Sequence, residues 1–181
     1  VAAVCVFCGS STTLAPEFLE LAAALGTELA RRGHTLVSGG GRVGMMGAVT
    51  AAARAAGGRT VGVIPEVLSG YEIADGDSDE LTVTASMADR KNLMMAKSDA
   101  FVSLPGGIGT LDELFEVWTT RSLGLHAKPI VLLDPDGFYA GLLSWLADAG
   151  RHGFVRPVSA ELLVTCRSVT EAVDLVEQAL A

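Results

Sequence analysis

Strand-like and helix-like segments alternate along the whole chain, and that alternation restricts the fold to a mainly parallel sheet with helices on both faces. Ala2 to Phe7 is a continuous apolar strand, and Gly9-Ser10-Ser11 turns it towards a helix opening near Pro16. That helix carries Phe18, Leu21, Leu25 and Leu29 at spacings that share one face, and it stops at Gly33, a typical C-terminal glycine. Thr35 to Ser38 is a short strand, Gly39-Gly40-Gly41 a turn, and Met45 to Ala56 an Ala-rich helix closed by Gly57-Gly58. Thr60 to Ile64 follows as a third strand, and the polar stretch from Pro65 through Glu80 is the least structured part, a candidate loop over a site. Leu81 to Thr84, helix Met87 to Lys97, strand Ala100 to Leu104 and helix Leu111 to Leu123 continue the alternation. Pro129 to Leu133, a helix from Tyr139 to Ala149, a strand at Leu162 to Thr165 and a last helix from Thr170 complete it. The expected class is α/β, doubly wound.

The chain has 181 residues, of which 50% are hydrophobic, so residues 1–181 are expected to form one domain around one core. Its 21 Gly against 6 Pro fit many short strand-to-helix turns rather than a disordered tail. No apolar run approaches the roughly 20 residues that cross a bilayer, so no membrane partner is expected. The opening VAAVCVFCGSS lacks a basic segment and turns polar too soon for a secretory signal, which makes a cytoplasmic location the expectation. The net charge of −8 argues against a general grip on nucleic acid, which needs a basic face. A small anion remains admissible, because a few local donors outweigh a distant, salt-screened negative surface. Cys5 and Cys8 form a C-x-x-C pair within a strand, where residues three apart point to opposite faces. A redox pair normally sits at a helix N-terminus, so both, and Cys166, are read as small buried residues.

Two glycine turns carry the chemistry. The first, Gly39-Gly40-Gly41-Arg42-Val43-Gly44, fits G-x-G-x-x-G between a strand and a helix, the context for a phosphate on a helix N-terminus. A tight turn with close helix-to-sheet packing explains it equally well. Glu66 stands at a suitable distance for a dinucleotide's ribose but follows Pro65, which disfavours a nicotinamide cofactor, and no Lys-Ser or Lys-Thr follows the glycines as a P-loop requires. The second turn, Pro105-Gly106-Gly107-Ile108-Gly109-Thr110, follows an apolar strand and so falls at the carboxyl edge of the sheet, where open α/β folds place ligands. Backbone amides at Gly107, Gly109 and Thr110, with the start of the next helix, suit a phosphate.

Asp112 and Glu113 come next, and two carboxylates there would repel that phosphate. Thr110-Leu111-Asp112-Glu113 also reads as a T-x-x-E capping box, which would tie Glu113 to the helix end and away from a substrate. A further cluster, Met87-Ala88-Asp89-Arg90-Lys91, gathers positive charge at a helix start, where the dipole is already positive and an anion would relieve it. Arginine suits a two-pronged grip on phosphate or carboxylate, whereas Lys91 and Lys97 are also explained as a solvated basic face. His34, His126 and His152 have no acidic partner at a recognisable spacing and receive no catalytic role.

The segment PGGIGTLDE, Pro105 to Glu113, resembles the pattern PGGxGTxxE of the Lonely Guy (LOG) phosphoribohydrolases, which remove ribose phosphate from adenine nucleotides to release cytokinin bases. CVFCGSS at Cys5, SGGGRVGMMG at Ser38 and MADRK at Met87 support the resemblance, which covers nearly the whole chain. It implies a Rossmann-like fold, a homodimer, no cofactor and no metal. It places the two catalytic residues on Arg90 and Glu113 and the substrate-binding positions on Glu72, Arg90, Lys91 and the stretch Gly106, Gly107, Ile108, Gly109, Thr110, Leu111, Asp112 and Glu113. Glu113 thereby passes from helix cap to catalytic residue. Three positions depart from the pattern: Ala88 stands where many members have His, Ser38 where many have Tyr, and Met45 where Leu is common. These bear on the base pocket. The implied reaction is hydrolysis of the N-glycosidic bond of adenosine 5'-monophosphate or its N-prenylated derivatives. Two other readings stay open: a non-catalytic nucleotide or molybdenum-cofactor carrier, and the older "lysine decarboxylase" label, which would need pyridoxal phosphate on a lysine such as Lys91.

Overall fold

The computed structural model describes residues 1–69 and 74–181. Its elements run β1 (Ala3–Phe7), α1 (Pro16–Arg31), β2 (Thr35–Ser38), α2 (Gly44–Ala55), β3 (Thr60–Pro65), α3 (Glu66–Ser69), β4 (Glu80–Thr84), α4 (Met87–Ala96), β5 (Ala100–Ser103), α5 (Ile108–Ser122), β6 (Ile130–Leu133), α6 (Ala140–Arg151), α7 (Pro157–Ala160), β7 (Leu163–Cys166) and α8 (Val169–Leu180). The strands form one sheet in the order β4-β3-β2-β1-β5-β6-β7, and every pairing between them is parallel. The alternation expected from the sequence is therefore realised as a doubly wound, Rossmann-like α/β sheet.

Strand periodicity divides the core in two. Val4 and Val6 of β1 point to one face with Val102 of β5 and Val131 and Leu133 of β6, where Leu25 and Leu29 of α1, Val49 of α2 and Val173 and Val176 of α8 cover them. Cys5 and Phe7 point to the other face with Phe101, Ile130 and Leu132, under Met94 of α4 and Leu114 and Val117 of α5. Cys5 and Cys8 thus lie in opposite layers, free and buried, as expected of small strand residues. Helices α1 and α2 approach closely because Gly26 has no side chain: a Cβ there would collide with the Val49 backbone.

The strands' amino edge is tied by a polar cluster. His34 Nδ1 accepts from the Ala2 amide at 3.2 Å, and its Nε2 lies 2.9 Å from Glu177 Oε1. Arg32 Nη1 donates to Asp174 and Glu177 at 2.6 and 2.9 Å. The His34 hydrogen bond above all, aided by Arg32 against desolvation, holds the Glu177 carboxyl below its ordinary pKa. This fastens α8 to the segment between α1 and β2.

Element boundaries differ from expectation at two informative places. The polar stretch after Pro65 contains a short helix, α3, and β4 begins at Glu80. More consequentially, α5 begins at Ile108 rather than Leu111, with Gly107 as its N-cap and no side-chain cap. Thr110 and Glu113 both lie inside the helix, so the expected capping box does not form. Gly-Ile-Gly is a weak helix former, so this earlier start runs against local propensity, and it leaves the first-turn amides without intrahelical partners.

Candidate functional site

The chain moves outward in one direction from β1 to β4 and then returns to place β5 on the other side of β1. The loops leaving β1 and β5 diverge at this switch point, opening the crevice in which doubly wound folds bind ligands. The Gly9 amide donates to the Pro105 carbonyl at 3.2 Å and joins the two loops at its base. Above lies a cavity of about 500 Å³ whose walls include Ser10, Ser11, Leu14, Phe18, Met45, Met46, Arg90, Gly106, Gly107, Ile108, Gly109, Thr110, Glu113 and Phe138.

Arg90, in the first turns of α4, is only 4% exposed. Its Nε donates to the Val63 carbonyl at 3.1 Å and its Nη2 to the Gly39 carbonyl at 2.9 Å, while Nη1 stands 3.9 Å from Glu113 Oε1. A charge this buried requires partners, and here two backbone carbonyls and a carboxylate contribute. The first glycine turn makes room for it. A Cβ on Gly39 would collide with Arg90 Nη2; Gly40, at φ 74°, packs on Ile64 and the Val63 amide; and Gly44, at φ 60°, abuts the backbone of Ser10 and Ser11. This turn is a packing turn that seats Arg90.

The second glycine turn is built the other way. A Cβ on Gly106 would collide with Thr110, but Cβ atoms on Gly107 and Gly109 would meet nothing within 4 Å. The opening amides of α5, with the positive end of its dipole, lie beside that open space, an arrangement that can hold an anion. Glu113, with its side chain 12% exposed, stands one turn further along the same helix. Both turns follow parallel strands and so open on the same edge of the sheet.

The remaining walls are neutral. Asp134 accepts from the amides of Phe138 and Tyr139 at 2.7 and 2.9 Å, which sets Phe138 at the cavity lip, edge-on to Phe18 at 6.0 Å. Tyr139 Oη donates to the Leu104 carbonyl at 2.8 Å and steadies the approach to the second turn. Cys8 also lines the cavity, but burial, with a contribution from the charge of Glu113, pushes its thiol's pKa well up. A protonated thiol is a poor nucleophile.

The structure thus brings Arg90, Gly106, Gly107, Ile108, Gly109, Thr110 and Glu113 together around one cavity. Leu111 turns inward against the core, Asp112 faces outward, and Lys91 pairs with Asp112 and Glu116 at 3.0 Å each; none of these three lines the cavity. Glu72 lies outside the described residues. Ser10, Ser11, Leu14, Phe18 and Phe138 were missed from sequence. Ser10 and Ser11 alone had a signal, the CVFCGSS segment that ends on the serines after β1.

Fold and site define an α/β protein of the doubly wound kind, with an open glycine turn at a helix start beside a buried guanidinium and a carboxylate. The family model described as "possible lysine decarboxylase" matches residues 46–176. A cytokinin riboside 5'-monophosphate phosphoribohydrolase of Mycobacterium tuberculosis is 54% identical over 93% of this chain and 90% of its own length. One from Arabidopsis thaliana is 43% identical over 97% and 81%. Among solved structures, the molybdenum cofactor binding protein of Rippkaea orientalis superposes with a TM-score of 0.76 at 25% identity, covering 99% of this chain and 97% of that one. The chain belongs to the Lonely Guy family of phosphoribohydrolases, and it is an enzyme.

Proposed function

We propose that the protein hydrolyses the N-glycosidic bond of adenosine 5'-monophosphate or its N-prenylated derivatives, releasing the free base and ribose 5-phosphate. The observation that carries this reading is the convergence, in one cavity of about 500 Å³, of the open glycine turn with Arg90 and Glu113. The α5 amides hold the phosphate and thereby fix the distance from the sugar to Glu113. Cleavage of the bond passes through a ribose with oxocarbenium character, which a nearby carboxylate stabilises. Glu113 also orients the water that adds to the anomeric carbon and accepts its proton. Arg90 balances the charge of Glu113 and clamps the nucleotide. Asp89 is engaged by the Ser86 hydroxyl at 2.7 Å, and Asp112 faces Lys91. Neither is among the described residues that line the cavity, so the leaving purine takes its proton from water, and the hydroxide left behind is neutralised by the proton that Glu113 has accepted.

The decarboxylase reading asks for a lysine able to form a Schiff base. Among the described residues that line the cavity there is no lysine, and Lys91 is committed to two carboxylates. The carrier reading draws on structural neighbours near 25% identity, whereas relatives at 42 to 54% bear the hydrolase name. Separating the products after incubation with adenosine 5'-monophosphate and its isopentenyl derivative tests the proposal: free base and ribose 5-phosphate are expected, and a protein that binds both nucleotides without turnover would be a carrier.

We propose further that the protein is a homodimer, as the family resemblance implies. Leu123, Leu125, Trp145, Phe154 and Val158, on α6, α7 and the segments that follow α5 and α6, are each at least 60% exposed, and a second copy of the chain would cover them. Sedimentation at micromolar concentration is expected to give twice the chain mass of 18.7 kDa, and a monomer alone would refute it.

A further inference from the structure

Three consecutive glycines cannot hold a turn by themselves, since a residue without a Cβ passes between backbone regions at little cost. Yet Gly39, Gly40 and Gly41 must present the Gly39 carbonyl to Arg90 Nη2 at 2.9 Å, with Gly40 at φ 74°. Neighbours impose that conformation. The Gly40 amide donates to Ser38 Oγ at 3.3 Å, and the Gly41 amide donates to Met46 Sδ at 3.1 Å. From the segment before β4, the Asp75 amide donates to the Gly40 carbonyl at 2.8 Å, and Ala74 pairs with Gly41 in an antiparallel bridge. Asp75 is itself fixed by its side chain, which is only 3% exposed. One carboxylate oxygen accepts from Arg54 Nη1 at 2.6 Å and from Ser78 Oγ at 3.2 Å, and the other accepts from the Asp77 amide at 3.3 Å. A carboxylate taken out of water needs such donors. Arg54 belongs to the last turn of α2, the helix whose first turn carries Met46. The glycine turn is therefore fastened to α2 twice, directly through Met46 and indirectly through Arg54 and Asp75. Neither Arg54 nor Asp75 is among the described residues that line the cavity.

We propose that Asp75 is a positioning residue: anchored by Arg54, it pins the Gly40 carbonyl and so fixes the Gly39 carbonyl on which Arg90 rests. The step from Arg90 to nucleotide affinity rests on the proposed function, but the hold on Arg90 does not. With the anchor lost, the peptide planes around Gly40 rotate, the Gly39 carbonyl leaves the guanidinium, and Arg90 keeps only the Val63 carbonyl as a backbone acceptor.

The test is a double-variant cycle. Asp75→Ala and Arg54→Met are each made in the wild type and in the Arg90→Ala background, and affinity for adenosine 5'-monophosphate is measured by calorimetry. A second readout needs no nucleotide: solvent exchange of the Arg90 Nε proton followed by NMR, its resonance assigned by its loss in Arg90→Ala. In the wild-type background each variant is expected to weaken binding about fivefold or more and to speed that exchange about tenfold or more. In the Arg90→Ala background each is expected to change affinity by less than about twofold, because the residue through which Asp75 acts is gone. Arg54→Lys, which keeps the charge, is expected to recover most of both readouts. An equal loss of affinity in the two backgrounds would mean a general softening of the fold and overturn the inference. So would an Arg90 Nε proton that exchanges at the wild-type rate in both variants. Should Asp75→Ala fail to fold, Arg54→Met, at a side chain 25% exposed, carries the same cycle. If the wild type binds no nucleotide, the functional reading fails separately, and the Nε exchange decides the inference by itself.

Discussion

The two glycine turns look alike as strings of letters and do opposite things. In the turn from Gly39 to Gly44, the missing side chains are filled by the protein itself: Arg90 against Gly39, the β3 backbone against Gly40, and the loop after β1 against Gly44. In the turn from Gly106 to Gly109, the space at Gly107 and Gly109 is empty and faces the cavity. A G-x-G-x-x-G spacing therefore reports that the backbone must come close to something. Whether that something is protein or ligand depends on strand order, because the second turn lies beside the β1–β5 switch point and the first does not.

The largest effect is expected at the carboxylate the open turn presents. Glu113→Gln keeps the volume and removes the charge, so turnover of adenosine 5'-monophosphate should fall by about 10²- to 10³-fold. Binding should persist or tighten, since a repulsion near the phosphate is gone. A Gln variant that turns over at the wild-type rate would leave the open turn as a seat without chemistry. Arg90→Ala should differ by weakening nucleotide binding as well, measurable by calorimetry.

Gly39→Ala tests the filled turn. Gly39 is not among the glycines with positive φ, so alanine meets no backbone penalty and the change isolates the collision with the guanidinium. Turnover should fall by about tenfold to a hundredfold, with a stability loss of roughly 1–3 kcal/mol in denaturant unfolding. A variant as stable and active as the wild type would erase the contrast between the turns. Gly109→Ala should do the reverse. Its Cβ meets nothing, and alanine favours the helix, so stability should rise by up to about 1 kcal/mol while KM increases several-fold. A loss of stability would mean that the open turn is packed after all.

The smallest effect concerns the frame that both turns share. Glu177 has a lowered pKa in the folded chain, so its contribution to stability is present above the unfolded carboxylate value and is lost as pH falls through the folded one. Stability should therefore decline below about pH 4, and Glu177→Gln should flatten that decline without altering the kcat ratio between Glu113→Gln and wild type.

Much of the fold was legible in the sequence, because buried parallel strands read as apolar runs and the glycines punctuate them. The start of α5 was not. Propensity spoke against a helix through Gly107-Ile108-Gly109, and the T-x-x-E spacing offered a plausible cap three residues late; the helix starts at Ile108 against both signals. Of the cavity, the glycine turn and Arg90 could be marked from local patterns. Leu14, Phe18 and Phe138 could not, since the first two lie just before and within the first turn of α1 and the third lies after β6, and their meeting depends on the strand order β1-β5-β6 and on Asp134 folding back the turn that carries Phe138.

The seating of Arg90 also has a thermodynamic side. A free arginine side chain in a binding site surrenders on the order of 2 kcal/mol of rotamer entropy when it closes on a ligand. Here hydrogen bonds to the Gly39 and Val63 carbonyls hold two edges of the guanidinium as part of the fold. That ordering belongs to folding, so under the proposed function a nucleotide would meet an arginine already set in place and would bear less of that entropic cost on binding.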